Sequence, residues 1–334
     1  MKDSLESILE VAQTAGRLAT IICRTVLDEA PADPSSMAKG DDSPVTVADY
    51  GSQAVILKAV ADAFPEHGVI AEEGSEHLRL NSGGAGAAQI TRLVGDALGQ
   101  EVGFEQVCDW IDHQGDSDHE FTWCIDPIDG TKGFLRRQQY AIAIGIMRLG
   151  EPWAGVMVCP NLPVDLDKPD GQRGVMYVAG SGEGCLRVPI DGGDSEMVTV
   201  SAEGDPAKWR VLGSVESAHG DPKLVTAAME SIGIHGGFVR YDSQAKYGIV
   251  AQGGAEVYVR PRSKPDYREN IWDHAAGAIV VLEAGGHITD LDGKRLDFSL
   301  GHKMTENRGV LVTSNYAVHD AMLEGLANAE KALS

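Results

Sequence analysis

The stretch FTWCIDPIDGTKGF, residues 121–134, constrains the fold of this 334-residue chain more than any other. Phe121, Trp123 and Ile125 recur with the period of two that marks a strand. The pattern stops at Asp126, where Pro127 fixes the backbone and Gly130 closes a turn. Asp126 and Asp129, three residues apart around that turn, can aim both carboxylates at one point, with the Ile128 carbonyl turned the same way. Hard divalent cations such as Mg²⁺ take oxygen ligands of this kind. A surface Asp-Pro turn with solvated carboxylates would carry the same residues.

Three further acidic clusters bear on that choice. SPVTVADYGSQ, residues 43–53, sets Asp49 near the start of a helix, where an acidic residue also complements the helix dipole. AEEGSE, residues 71–76, puts Glu72 and Glu73 after a short apolar strand; the pair repels unless cations hold it, or it is a solvated charge run. YRENIWDHAAG places Asp273 beside Trp272 at a helix start, with Ala275, Ala276 and Gly277 small enough for close packing. A helix N-cap would explain Asp273 equally well.

Patterning along the rest of the chain predicts helices first, then a run of antiparallel strands, then an alternating α/β half. Leu5, Ile8, Leu9, Ala12, Ala19, Ile22, Cys23 and Val26 predict a long amphipathic first helix, and a second runs from about Val47 to Phe64. Residues 77–118 are Gly-rich and polar, and read as a surface insertion or lid. Strands follow at 121–125, 140–147, 153–158, 175–178 and 185–188. The acidic, Gly-rich segment 191–205 is the best boundary. It divides an N-terminal half, 1–190, with most candidate metal ligands, from a C-terminal half, 206–334, with candidate substrate residues and Asp273. In the second half strands are expected near 211, 238–241, 257–260 and 309–313, and helices at 223–231, 244–252, 272–283 and 316–329.

Charge sets a condition on any ligand. With 28 basic and 50 acidic side chains the formal net charge is −22. This argues against non-specific binding to nucleic acid or to an anionic membrane, and an anionic substrate would need locally concentrated positive charge. A bound metal ion supplies it. The five cysteines are scattered, with no CxxC pair, so a reducing compartment is expected. No apolar run approaches a membrane span and the first residues lack a signal-peptide pattern, so the expectation is a soluble, cytoplasmic protein, organellar if a transit segment precedes it; its oligomeric state is open, with a monomer favoured.

Together, DPIDGTKGFLR, SPVTVAD, YDSQAKY and IWDHAAG resemble the inositol monophosphatase superfamily of metal-dependent, lithium-sensitive phosphatases, and within it the 3′(2′),5′-bisphosphate nucleotidase branch. The resemblance runs from about residue 40 to 314 and leaves 80–118 unmatched. It implies an α+β fold, a layered α-β-α-β-α sandwich with the site between its halves. It also implies that Glu72, Asp126, Asp129, Asp273 and the Ile128 carbonyl bind two or three Mg²⁺ ions. Asp49 and the Thr131 hydroxyl would then orient and deprotonate the attacking water, and Thr131, His219, Ser243, Lys246, Arg260 and Asp273 would hold the substrate. The implied reaction is hydrolysis of 3′-phosphoadenosine 5′-phosphate to AMP and phosphate, as in sulfur assimilation, with the 5′-phosphosulfate analogue as a second substrate. An inositol mono- or polyphosphate 1-phosphatase is the alternative within the superfamily, and a catalytically silent nucleotide sensor the alternative of another class. The presence of every carried-over carboxylate and of Thr131 counts against silence.

Overall fold

A computed structural model describes residues 3–30, 44–215, 221–235, 238–264 and 266–333. Helix α1 (Leu5–Glu29) starts at Ser4, whose hydroxyl accepts the Ser7 N–H, and buries the stripe Ile8, Ala12, Ala15, Ala19, Ile22, Cys23 and Val26. The spacing is that of one helix face, and the face lies on the following helix, α2 (Pro44–Ala63), and on the first sheet. Helix α2 is apolar nearly all round because it is enclosed on several sides.

Part of that enclosure comes from the segment expected to be a lid. After β1 (Gly68–Ala71) the chain forms α3 (Glu76–Leu80), α4 (Ala85–Leu98) and α5 (Phe104–Ile111). Ile90, Leu93, Val94, Val107, Cys108 and Ile111 are buried in the same core as α1 and α2. The expectation of a surface insertion is therefore corrected: residues 85–111 are a helical wall of the core. Glycines at 95, 99 and 103 masked the pattern, yet Gly99 ends α4 in the left-handed conformation and Gly103 stands at the start of α5.

Seven strands form the first sheet in the order β1 to β7: β2 (Phe121–Asp129), β3 (Ala141–Arg148), β4 (Glu151–Pro163), β5 (Arg173–Gly180), β6 (Gly184–Pro189) and β7 (Glu196–Val198) follow β1. All neighbours are antiparallel except β1 and β2. A short helix, α6 (Thr131–Leu135), follows the Asp129 turn. Strand β7 carries the first sheet into the acidic segment expected to be linker. The second sheet, in the order β11-β12-β10-β8-β9, contains β8 (Val211–Gly213), β9 (Phe238–Arg240), β10 (Val257–Arg260), β11 (His287–Thr289) and β12 (Val310–Thr313). Strand β11 was not expected, because three residues carry too little pattern to read.

Helices α8 (Ala245–Ala251) and α9 (Ala275–Glu283) fill the layer between the sheets, and α7 (Pro222–Ser231) and α10 (Tyr316–Leu333) cover the outer face of the second. The result is the expected α-β-α-β-α sandwich. Among the described residues no helix is long and apolar enough to cross a membrane.

Two glycines decide how close α9 comes to the first sheet. Gly145 on β3 and Gly155 on β4 are cross-strand partners. A Cβ on Gly145 would stand 2.8 Å from the Ala275 Cβ, and one on Gly155 would stand 2.6 Å from Ile279. The bare backbone at this pair lets α9 settle against the strands, which brings the residue just ahead of it, Asp273, to the sheet. Gly145→Ala is expected to cost about 1–3 kcal/mol by overpacking. Denaturant unfolding checks this, and an unchanged midpoint would contradict the close approach.

Candidate active site

A register shift on β2 creates the site. Asp126 pairs with Ala143 and Asp129 with Ala141, so three steps on β2 face two on β3. In a regular strand residues three apart point to opposite faces; the extra residue restores the parity and puts both carboxylates on one side. Ile128 lies within the irregularity with its side chain buried. Carboxylate oxygens of Asp126, Asp129 and Asp273 lie within 4.8 Å of one another. Glu72 joins them from the end of β1, where its N–H donates to the Ile125 carbonyl and its carboxyl meets that of Asp126. Neither the solvated turn nor the helix N-cap survives: Asp126 is 2 % exposed, and the N-cap of α9 is His274, not Asp273.

The cluster is strongly self-repelling. Burial, and then the Glu73 charge, push Glu72 up to about 7, against the lowering effect of its contact with Asp126. Burial first, then Glu72 and Asp129, hold Asp126 well above the ordinary carboxylate range. Asp273 is raised by burial, against the opposing pull of Arg260. Asp49, on α2, is raised well above its usual value by burial and then by the charges of Glu73 and Glu72. Asp126 Oδ1 is buried and finds no hydrogen-bond partner among the described residues. Hard oxygen donors converging with an orphaned carboxylate oxygen fit a divalent cation such as Mg²⁺.

Two glutamines that the sequence reading missed hold the acids in place. Gln53, fully buried, lies four residues after Asp49 on the same face of α2. Its amide clamps the Glu73 backbone, accepting the N–H at 3.0 Å and donating to the carbonyl at 2.7 Å, and donates also to the Ile111 carbonyl at 3.2 Å. One helix face thus carries Asp49 and the group that fixes the Glu72–Glu73 peptide beside it. Gln244 donates its backbone N–H to Asp129 Oδ2, and its side chain donates to the Trp272 carbonyl at 3.0 Å, next to Asp273. The i, i+4 spacing of Asp49 and Gln53 was a legible signal; Gln244 sat inside YDSQAKY with nothing local to mark it.

The second half supplies the opposite wall. Gly130, in the left-handed region, abuts Ser243, where a Cβ would stand 2.8 Å from the serine Cβ, and Gly133 is pressed likewise against Asp242. Ser243 itself has φ of 66°, a conformation a serine adopts only when its surroundings impose it. Lys246 is one of the groups that hold it: its ammonium donates to the carbonyls of Ser243 at 2.6 Å and Tyr241 at 3.2 Å and lies 5.1 Å from the Tyr258 ring centroid. Burial pulls Lys246 down to about 8, with Asp129 pushing back. Arg136 pairs with buried Asp242 at 2.6 Å and braces the same turn.

Asp129, Thr131, Ser243, Lys246, Arg260 and Asp273 line one pocket of about 310 Å³, within the range of small-ligand sites. His219 lies outside the described residues. His113 and His119 are half-buried, with the His119 ring stacked on His67 at 4.5 Å.

The fold and site together define a class: a five-layer sandwich with a carboxylate cluster that suits a metal ion, opening into a cation-bearing pocket. A model of the inositol monophosphatase family matches residues 4–331, and the chain belongs to that family. Among characterised relatives it is 36% identical to a 3′(2′),5′-bisphosphate nucleotidase of Emericella nidulans, over 95% of this chain and 96% of the relative. It is 33% identical to one of Schizosaccharomyces pombe, over 92% of each. Solved structures of inositol monophosphatases from Anabaena (TM-score 0.64, 21% identity, 97% of this chain and 96% of the other) and Staphylococcus aureus (0.63, 22%, 98% of each) share the fold.

Gln53→Leu is expected to destabilise the protein by about 1–3 kcal/mol, because the Glu73 N–H and carbonyl lose their buried partner. A denaturation curve superimposable on wild type would refute the clamp.

Proposed function

We propose that this chain hydrolyses the 3′-phosphate of 3′-phosphoadenosine 5′-phosphate to give AMP and phosphate, with Mg²⁺ as its metal and two or three ions bound. The 5′-phosphosulfate analogue is a second substrate in this reading. The observation that carries it is the composition of one pocket: Asp129 and Asp273 of the carboxylate cluster line it together with Lys246 and Arg260. A substrate with two anionic groups fits such a pocket, one group beside the metal-binding acids and the other on the cations. The relatives named 3′(2′),5′-bisphosphate nucleotidase support the choice of substrate.

In this reading Glu72, Asp126, Asp129, Asp273 and the Ile128 carbonyl hold the ions. When bound, the ions would polarise the phosphoryl oxygens, lower the pKa of water and offset the charge of the acids. Asp49, held by burial at a raised proton affinity, takes the proton of the attacking water. The Thr131 hydroxyl, exposed at the first position of α6, orients that water. Phosphoryl transfer asks mainly for position and charge, so no covalent intermediate with the chain is needed. Lys246, Arg260 and Ser243 bind the 5′-phosphate and His219 the adenosine. Arg260 suits a phosphate because its planar fork donates two parallel hydrogen bonds.

One experiment tests the reading: phosphate release from a panel of nucleotide and inositol phosphates, with Mg²⁺ and with EDTA, for wild type and Asp129→Asn. The bisphosphate nucleotide should be the best substrate, EDTA should stop turnover and Mg²⁺ restore it. Asp129→Asn should be inactive yet folded, since the amide keeps the volume and an acceptor for the Gln244 N–H. Preference for an inositol phosphate would overturn the substrate, and full turnover in EDTA would overturn the metal.

A further inference from the structure

Arg260 does not set its own orientation. Its Nη2 lies 2.9 Å from Glu269 Oε2 and 3.3 Å from Asp273 Oδ2. Glu269 is 3 % exposed, and the same Oε2 lies 3.2 Å from His274 Nε2. His274 is fully buried, and its Nδ1 lies 2.6 Å from the Tyr247 hydroxyl. An Nε2–H donated to the carboxylate leaves Nδ1 to accept from the tyrosine, so the network assigns the polarity Tyr247 O–H to His274, His274 N–H to Glu269. Three polar side chains thus run in single file through the layer between the sheets and end on the guanidinium.

The packing around this file is built for it. Tyr247 sits on α8, one residue after Lys246, and its ring lies over Gly277 of α9, where a Cβ would come 2.4 Å from the ring. The Tyr258 ring meets it edge-on at 5.2 Å from the other side. Gly277 therefore lets the tyrosine reach His274, one turn back along the chain. Burying such a file costs desolvation that an apolar core would avoid. The file ends where the guanidinium sits between two carboxylates, Glu269 and Asp273, and Glu269 is the nearer of the two.

We propose that Tyr247, His274 and Glu269 are positioning residues that aim Arg260 at the phosphate that is not hydrolysed, and so select bisphosphate over monophosphate substrates. This rests on the bisphosphate reading above. None of the three touches the reacting phosphoryl group in this scheme, so they act on binding and leave the chemical step largely alone.

The test uses the full-length, Mg²⁺-loaded protein and the variants Glu269→Gln, His274→Leu and Tyr247→Phe. It measures kcat and KM for 3′-phosphoadenosine 5′-phosphate and for adenosine 3′-monophosphate, and AMP affinity by calorimetry. Glu269→Gln and His274→Leu should raise KM for the bisphosphate and weaken AMP by about 10- to 100-fold, the scale of a charge-assisted hydrogen bond. Both kcat values, and KM for the monophosphate, should stay within about threefold of wild type, as for a loss of uniform binding. Tyr247→Phe keeps the ring packing and should shift the same quantities by about 3- to 10-fold, the scale of a neutral hydrogen bond. It answers the question even where the buried-charge variants fail to fold. Equal losses on both substrates, or wild-type AMP affinity in Tyr247→Phe, would overturn the inference while leaving the function standing. A wild type that treats the two substrates alike would overturn both.

Discussion

Everything in this structure answers to the mutual repulsion of four carboxylates, Glu72, Asp126, Asp129 and Asp273, gathered where β1 and β2 end. Left to themselves they would separate or take up protons, and burial first, then neighbouring charges, raise the proton affinity of Glu72, Asp126 and Asp273. A protein holds such a cluster only by tying down the backbone on every side. The β2 irregularity fixes Asp126 and Asp129, Gln53 fixes the peptide after Glu72, Gln244 fixes Asp129 and the carbonyl before Asp273, and the Gly145–Gly155 pair fixes the depth of α9. The stability spent there is typical of a site shaped for function over stability.

The same ties join the two halves. The glycines of DGTKG admit the YDSQ turn, Lys246 holds that turn through two carbonyls, and the turn's own N–H reaches back to Asp129. Residues read from sequence as ligand contacts therefore also carry structure: Lys246 is engaged with backbone and Arg260 with two acids. Preorganisation of this kind lowers the cost of ordering the pocket when an anion binds.

Much of the fold was legible because its signals are local. The stripe of α1, the alternation of Phe121, Trp123 and Ile125, and the acids around Pro127 each announce themselves within a dozen residues. The helices α4 and α5 did not, because their glycines diluted the periodicity and their burial depends on α2, far away in sequence. The acids of the site were legible only in combination, since each cluster alone had an ordinary alternative and the four motifs together resemble one family. Gln244 and Glu269 were hidden because an amide or acid that serves a distant backbone or guanidinium looks like any other polar residue until the partners meet.

The central claim is that repulsion among these carboxylates is relieved by a divalent cation. Thermal unfolding of wild type and Asp126→Asn, followed as Mg²⁺ is titrated from EDTA, tests it most directly. The account predicts that the wild-type midpoint rises with Mg²⁺ by mass action. It also predicts that Asp126→Asn, with one charge removed, is the more stable of the two in EDTA and responds weakly to the ion. A wild-type midpoint indifferent to Mg²⁺, together with a variant less stable than wild type in EDTA, would contradict it.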